Sequence, residues 1–158
     1  MILITLFMSF FSFAEMKHDH GVGDLSIAVS GENITALFNI PAESIIGFEF
    51  EAKSAKDQKI KKEKISRFEA DFLKLVKLDS KFGCEQVSSQ NEVKQEGNHG
   101  EFQLSFSAKC KIKLSQTTIK INFKDSYPKI KKINVNFLSD KNTQSLGLLK
   151  GFGEIEVP

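Results

Sequence analysis

The segment of residues 102–112 constrains the fold most strongly, because apolar and polar side chains alternate through it without interruption. Successive side chains of a β-strand point to opposite faces, so this period of two predicts a strand with one buried face. Phe102, Leu104 and Phe106 lie on the apolar side, and the alternation places Cys110 on that side with them. A disulfide bond formed by Cys110 would therefore be at least partly buried.

Shorter alternating runs predict further strands, joined mostly by short turns. Residues 25–29 and 34–40 flank a turn signal at residues 31–33 and predict a β-hairpin at the start of the domain. Further strands are predicted at residues 119–123, 133–137 and 146–157, the last with a bend at Gly151 and Gly153, and a short edge strand at residues 45–50. Residues 88–100 are polar except for Val93, which predicts a long loop or the exposed tip of a hairpin.

One amphipathic helix is predicted between these strands. Ser54 and Asp57 have the spacing of a capping box, with Asp in place of the usual Glu. The apolar residues that follow recur at helical spacings and share one face: Ile65, Phe68, Phe72 and Leu75. Lysines dominate the opposite face, where interleaved acidic residues favour a solvated surface over a docking patch. The predicted fold class is α+β, a mostly antiparallel β-sheet of six or more strands with one substantial amphipathic helix.

The beginning of the chain is typical of a secretory signal peptide. Residues 2–13 are apolar apart from one Thr and two Ser, a run too short to span a bilayer, which needs about 20 residues. Small residues favour cleavage after Ala14, although no Lys or Arg precedes the run; the alternative is a buried first strand or helix. We expect a signal peptide at residues 1–14 and a single domain at residues 15–158, located in the periplasm without stable membrane insertion after signal removal.

Cys84 and Cys110 are the two cysteines of the chain. In an oxidising compartment such a pair is most simply a structural disulfide. A bond between Cys84 and Cys110 would close the loop between them and restrict the unfolded chain. In the chain-entropy model this stabilises the fold by roughly 3 kcal/mol. The alternative is a pair of thiolate metal ligands.

Composition and motifs exclude several classes of function. The chain has 22 Lys and Arg against 20 Asp and Glu, a net charge of +2, which does not favour a nucleic-acid-binding protein. The glycines at residues 21–23 lack the third glycine of a nucleotide-binding loop and precede their strand instead of following it. The chain also has no Gly-x-Ser-x-Gly motif of a nucleophilic serine. We therefore predict that the protein is not an enzyme.

The histidines of the chain, with nearby aspartates, form a candidate metal site. His18 and His20 lie two residues apart, and imidazole is a ligand that suits zinc, copper and nickel. Asp19 or Asp24 could add a carboxylate oxygen, and His99 could supply a third nitrogen if its turn approaches the N-terminal segment. The alternative is that these histidines are simply exposed to solvent.

The chain resembles the ZrgA-like family of zinc-regulated exported bacterial proteins. The resemblance rests on short motifs in a common order: His18-x-His20-Gly21-Val22-Gly23-Asp24-Leu25, Pro41-Ala42-Glu43, Ile46-Gly47-Phe48-Glu49, Gly83-Cys84, Cys110, Tyr127-Pro128 and Gln144. It covers essentially the whole mature chain. It implies the fold of that family and a role in zinc acquisition in the periplasm, with zinc bound by histidines.

Two departures from the family pattern reduce the expected capacity for zinc. The His-rich stretch that the family carries between its cysteines is here reduced to His99, and Phe50 stands where the family often has a histidine. We therefore expect at most one zinc ion per chain, bound with modest affinity.

The predicted function is that of a non-enzymatic periplasmic metal-binding protein that assists zinc uptake or buffering. Its partner would be a zinc transporter or the binding protein of such a transporter. The alternative is a metal-independent interaction module on the same fold. The oligomeric state is left open by the sequence.

Overall fold

A computed structural model describes residues 19–158, so the predicted signal peptide and His18 lie outside the described residues. The helix α1 spans Ala55–Leu75, and two 3-10 helices span Ala42–Ser44 and Ser80–Phe82. The strands are β1 (Val22–Ser30), β2 (Asn33–Pro41), β3 (Val76–Lys77), β4 (Glu85–Glu96), β5 (His99–Lys109), β6 (Thr117–Asn122), β7 (Lys132–Ser139), β8 (Thr143–Leu149) and β9 (Phe152–Val157). None of the helices in this range combines the length and the apolar character needed to cross a membrane.

The strands form two sheets. The larger sheet has the order β4-β5-β2-β1-β7-β8, and the smaller one has the order β3-β6-β9. All neighbouring strands pair antiparallel except β1 and β7, which run parallel. The prediction of an α+β fold with a mostly antiparallel sheet and one substantial helix is therefore confirmed.

Helix α1 begins where the capping signal predicts. The hydroxyl of Ser54 accepts a hydrogen bond of 3.0 Å from the backbone N–H of Asp57, which satisfies one of the free donors of the first turn. The four apolar residues of the predicted face are all buried. In the core the ring of Phe68 meets Phe102 of β5 edge-on at 5.3 Å and stacks on Phe38 of β2 at 5.4 Å. The helix thus covers the inner face of the larger sheet.

The predicted edge strand at residues 45–50 is wrong. The chain forms a 3-10 helix after β2, and the N–H of Ile46 donates to the carbonyl of Ala42 at 2.8 Å. Ile45 and Ile46 are both buried, at 4% and 3% exposure. Successive residues of a strand point to opposite faces, whereas a helical turn can bury two in succession, and so the apolar pair favours the turn.

Residues 88–100 form the exposed end of a hairpin, which was one of the two predicted alternatives; the long loop is not observed. β4 pairs with β5 along most of its length, and its side chains are largely exposed. Hydrogen bonds between the main chains of β4 and β5 form this strand. Because β4 buries neither face, its sequence shows no alternation of apolar and polar residues. The predicted single segment 146–157 is two strands, β8 and β9, which a turn at Lys150 and Gly151 directs into different sheets.

The predicted disulfide is present. The sulfur atoms of Cys84 and Cys110 are 2.07 Å apart, and Cys110 is 2% exposed, as the alternation predicts. The bond connects the chain just before β4 to the residue that follows β5, and therefore closes the open end of this hairpin. Ile112 lies beyond β5 and is 48% exposed, because the chain leaves the sheet after Cys110, where the N–H of Lys111 donates to the carbonyl of Phe82.

Candidate metal site

Three neighbouring strands bring the candidate ligands to one edge of the larger sheet. His20 precedes β1, Glu43 lies in the 3-10 helix that follows β2, and His99 is the first residue of β5. Since β1 and β5 flank β2 and both run antiparallel to it, the starts of β1 and β5 meet the end of β2. Glu49 lies in the irregular segment between the 3-10 helix and α1. We call this group of four side chains the His–Glu cluster.

The side chains of the cluster are in direct contact. Nδ1 of His20 lies 3.0 Å from Oε1 of Glu49 and 3.3 Å from Oε1 of Glu43. Nδ1 of His99 lies 2.9 Å from Oε2 of Glu49, and the two imidazole ring centres are 6.2 Å apart. Glu49 therefore connects the two histidines, with one carboxylate oxygen toward each ring.

The carboxylates lie deeper than the imidazoles. The side chain of Glu49 is 15% exposed and that of Glu43 is 28% exposed, against 53% for His20 and 57% for His99. A carboxylate that is removed from water needs hydrogen-bond or cationic partners, which the imidazoles supply when they carry a proton. Carboxylate oxygen is also a ligand for divalent cations, so the same atoms are candidate metal ligands.

The donor set and its spacing fit a divalent metal ion. Ligand atoms of His20, Glu43 and Glu49 all lie within 4.8 Å of one another. Tetrahedral zinc with bonds of about 2.0–2.2 Å places its ligand atoms roughly 3.3–3.6 Å apart. The separation of 3.3 Å from Glu43 lies within this range, and the separation of 3.0 Å from Glu49 needs only a small expansion to reach it. His99 stands beside these three ligands, and its Nδ1 contacts the other carboxylate oxygen of Glu49 at 2.9 Å.

Two glycines allow the segments of the cluster to approach one another. A Cβ atom at Gly100 would lie 3.1 Å from the carbonyl oxygen of Glu49, so the absence of a side chain lets this segment pass close to β5. The side-chain amide of Gln95 donates to the same carbonyl at 3.0 Å. Gly21 adopts a φ of +79°, and a Cβ there would lie 2.4 Å from the carbonyl oxygen of Lys129, which makes glycine necessary directly after His20.

The other predicted ligands lie nearby but outside the cluster. The backbone carbonyl of Asp19 accepts a hydrogen bond of 3.0 Å from the N–H of Val22, and the carboxylate of Asp24 accepts one of 3.1 Å from the amide of Asn134 on β7. Asp19 and Asp24 line a cavity of about 260 Å³ that Glu49 and His99 also line. His18 lies outside the described residues.

Sequence reasoning missed the two glutamates of the cluster. They are ordinary residues in a chain with 20 acidic side chains, and no local spacing distinguishes them. Both stand within motifs that carry the family resemblance, Glu43 after Pro41 and Glu49 after Phe48. The available signal was that β2 ends at Pro41, which predicts that the following carboxylates lie at the same edge of the sheet as a histidine preceding β1.

The fold and the cluster together define an α+β domain with a candidate divalent-metal site at one edge of its larger sheet. The chain belongs to the ZrgA family: the family model described as "ZrgA family zinc uptake protein" matches residues 17–157. The family description associates the chain with zinc uptake and not with an enzymatic reaction. A search of curated proteins found no match to the chain.

Proposed function

We propose that this protein is a non-enzymatic periplasmic metal-binding protein that assists zinc uptake or buffering through the His–Glu cluster. The observation that carries the proposal is the convergence of His20, Glu43 and Glu49. Nδ1 of His20 lies within 3.3 Å of a carboxylate oxygen of each glutamate. Nitrogen and carboxylate oxygen are ligands that zinc accepts in tetrahedral sites. Membership of a family described by zinc uptake supports zinc as the ion.

The proposed primary ligands are His20, Glu43, Glu49 and His99. His18 precedes His20 by two residues and is proposed as an additional nitrogen ligand, with Asp19 or Asp24 as auxiliary oxygens. One cluster of this kind holds one ion, so we expect one zinc per chain. The affinity is expected to be modest, because two carboxylates and two half-exposed imidazoles replace the histidine-rich set that zinc favours.

The exposure of the cluster suits transfer of the ion to another protein. Both imidazoles are more than half exposed, so a ligand of an acceptor protein can reach the ion before these nitrogens release it. The proposed partner is a zinc transporter or the binding protein of such a transporter. The export of the chain to the periplasm rests on the signal-peptide interpretation of residues 1–14.

Calorimetric zinc titration of the mature protein tests the proposal. We expect one ion per chain for the wild type, and a loss of at least about tenfold in affinity for Glu49→Gln, since removal of one ligand or its orienting partner typically costs 10–100-fold. His20→Ala and His99→Ala should each weaken binding. Glu92→Gln is the matched control, because Glu92 is an exposed residue of β4 whose partner is Lys94.

The titration also separates the two classes of function. Equal affinities in the wild type and in Glu49→Gln would exclude the His–Glu cluster as the metal site. An absence of zinc binding in every variant would favour the metal-independent interaction module. In that case the contacts of Glu49 with His20 and His99 would serve only to hold the N-terminal segment against the sheet edge.

A further inference from the structure

A second, positively charged cavity is lined in part by Glu43 and the residues that follow it. It has a volume of about 210 Å³ and lies between α1, the 3-10 helix after β2 and the loop at residues 126–129. Three cationic side chains line it: Lys64 and Arg67 from α1, and Lys129 from the loop. Among residues 19–158, Glu43 is the one carboxylate that lines it, and its Oε1 lies 3.3 Å from Nδ1 of His20.

The cations of this cavity are weakly compensated. Among residues 19–158, neither Lys64 nor Lys129 lies within ion-pair distance of a carboxylate, and the ammonium of Lys129 donates to the carbonyl of Gly47 at 3.1 Å. Arg67 approaches Asp71 at 3.7 Å, but Asp71 has a closer partner in Lys74 at 2.7 Å. The cavity therefore carries an excess of positive charge.

Three of the residues that line the same cavity carry hydroxyl groups, Ser44, Ser126 and Tyr127, and two of these are of particular interest. Burial raises the pKa of Tyr127 to about 12, with a smaller contribution from the charge of Asp71, so its hydroxyl keeps its proton and remains a donor at neutral pH. Ser44 is 5% exposed, and its hydroxyl has no hydrogen-bond partner among the described residues. A buried hydroxyl without a partner is unfavourable, so an anion bound in the cavity within reach of Ser44 would supply the acceptor that this hydroxyl lacks.

We propose that this cavity binds a small oxyanion, a phosphate or carboxylate group, through Lys64, Arg67 and Lys129, with Tyr127 and Ser44 as hydroxyl donors. The guanidinium of Arg67 offers the planar pair of donors that both groups accept, and the lysines supply point charges. The cavity is large enough for such a group and is separate from the contacts of His20 with Glu49. The cavity shares Glu43 with the His–Glu cluster, but its proposed ligands are other residues, and the inference does not depend on zinc binding.

The test is a titration of metal-free protein with sodium phosphate and, separately, with sodium acetate, at constant ionic strength adjusted with chloride. Chemical shifts of the backbone amides are followed by NMR. We expect saturable shifts at Ser44, Gly47 and Lys129. Saturation by phosphate alone would identify a phosphate ligand, and saturation by acetate with equal affinity would identify a carboxylate ligand.

Variants decide whether the cavity itself binds the anion. Lys64→Gln and Lys129→Gln should each weaken binding about fivefold, the effect of losing one exposed charge contact. Lys62→Gln is the matched control, because it removes the same charge from the same helix and Lys62 does not line this cavity. Circular dichroism and the thermal midpoint confirm that each variant is folded. Failure of both anions to saturate, or an equal loss in Lys62→Gln, would overturn the proposal.

Discussion

At the scale of single residues, Tyr127 shows how burial alters chemistry in this domain. Its ring meets Phe68 edge-on at 5.0 Å, the residue is 8% exposed, and it lines the positively charged cavity. Burial disfavours the phenolate, and the negative charge of Asp71 acts in the same direction, whereas the charge of Arg67 partly offsets them. The result is a pKa raised from its usual value of 10.0 to about 12.

This raised pKa predicts a loss of stability at alkaline pH. The unfolded chain releases the phenolic proton near pH 10 and the folded chain near pH 12, so the contribution to stability is complete below pH 10 and falls as the pH rises between these values. The slope is at most about 1.4 kcal/mol per pH unit. Tyr127 is the single tyrosine of a chain without tryptophan, so absorbance at 295 nm measures its titration directly.

Urea unfolding at a series of pH values provides the second measurement. The wild type should lose more stability between pH 9.5 and 11.5 than Tyr127→Phe, which keeps the ring and removes the ionisable group. A midpoint of the absorbance titration near 10 would contradict the prediction.

At the scale of elements, α1 depends on both its cap and its apolar face. The hydroxyl of Ser54 accepts from the N–H of Asp57 and also donates to the carboxylate of Asp57 at 2.6 Å. The carboxylate in the first turn interacts favourably with the helix dipole. Phe68 and Phe72 then hold the helix against the sheet, with ring contacts to Phe102 and Phe106 of β5.

Removal of the cap should destabilise the domain measurably. We expect Ser54→Ala to lower the free energy of unfolding by about 1 kcal/mol, because the N–H of Asp57 loses its acceptor. Ser66→Ala is the control: Ser66 is exposed within α1, and Ala is the better helix former, so this change should be neutral or slightly stabilising. Thermal or urea unfolding compares the two variants, and equal effects would argue against a role of the cap.

At the scale of the whole molecule, the disulfide closes the open end of the β4–β5 hairpin, which forms one side of the larger sheet. β4 is one of the two outer strands of this sheet, its side chains are largely exposed, and β5 is its single strand neighbour. Few apolar contacts therefore hold β4, apart from partly buried residues such as Val93. The covalent bond between Cys84 and Cys110 limits the separation of the two strands at one end, and the turn before His99 limits it at the other.

Loss of this bond should weaken the whole domain. We expect the double variant Cys84→Ser, Cys110→Ser to lower the free energy of unfolding by roughly 2–4 kcal/mol, chiefly because the unfolded chain gains freedom. Unfolding curves with and without reductant provide the comparison, since reductant should affect the wild type and leave the variant unchanged. Thiol titration of the unreduced protein should find no free thiol, and two titratable thiols would contradict the disulfide.

Much of the fold follows from local patterns that depend on the sequence alone. The alternation at residues 102–110 and the helical spacing of Phe68 and Phe72 identify elements because each element buries one face, and a buried face imposes its period on the sequence. Where this condition fails, the prediction fails. β4 has exposed side chains and no period, and residues 45–50 bury two successive isoleucines in a turn.

The candidate site was also only partly predictable from the sequence. The sequence indicated His20 and His99 as candidates because histidines are rare in this chain and suited to metal binding, but it did not indicate which of its many acidic residues accompany them. Only the tertiary structure determines which acidic residues lie beside the histidines. The order of β1, β2 and β5 brings together segments far apart in the chain, and Glu43 and Glu49 become part of the cluster because β2 ends at that sheet edge. Contacts between distant segments leave no local period in the sequence, so only the folded chain specifies them.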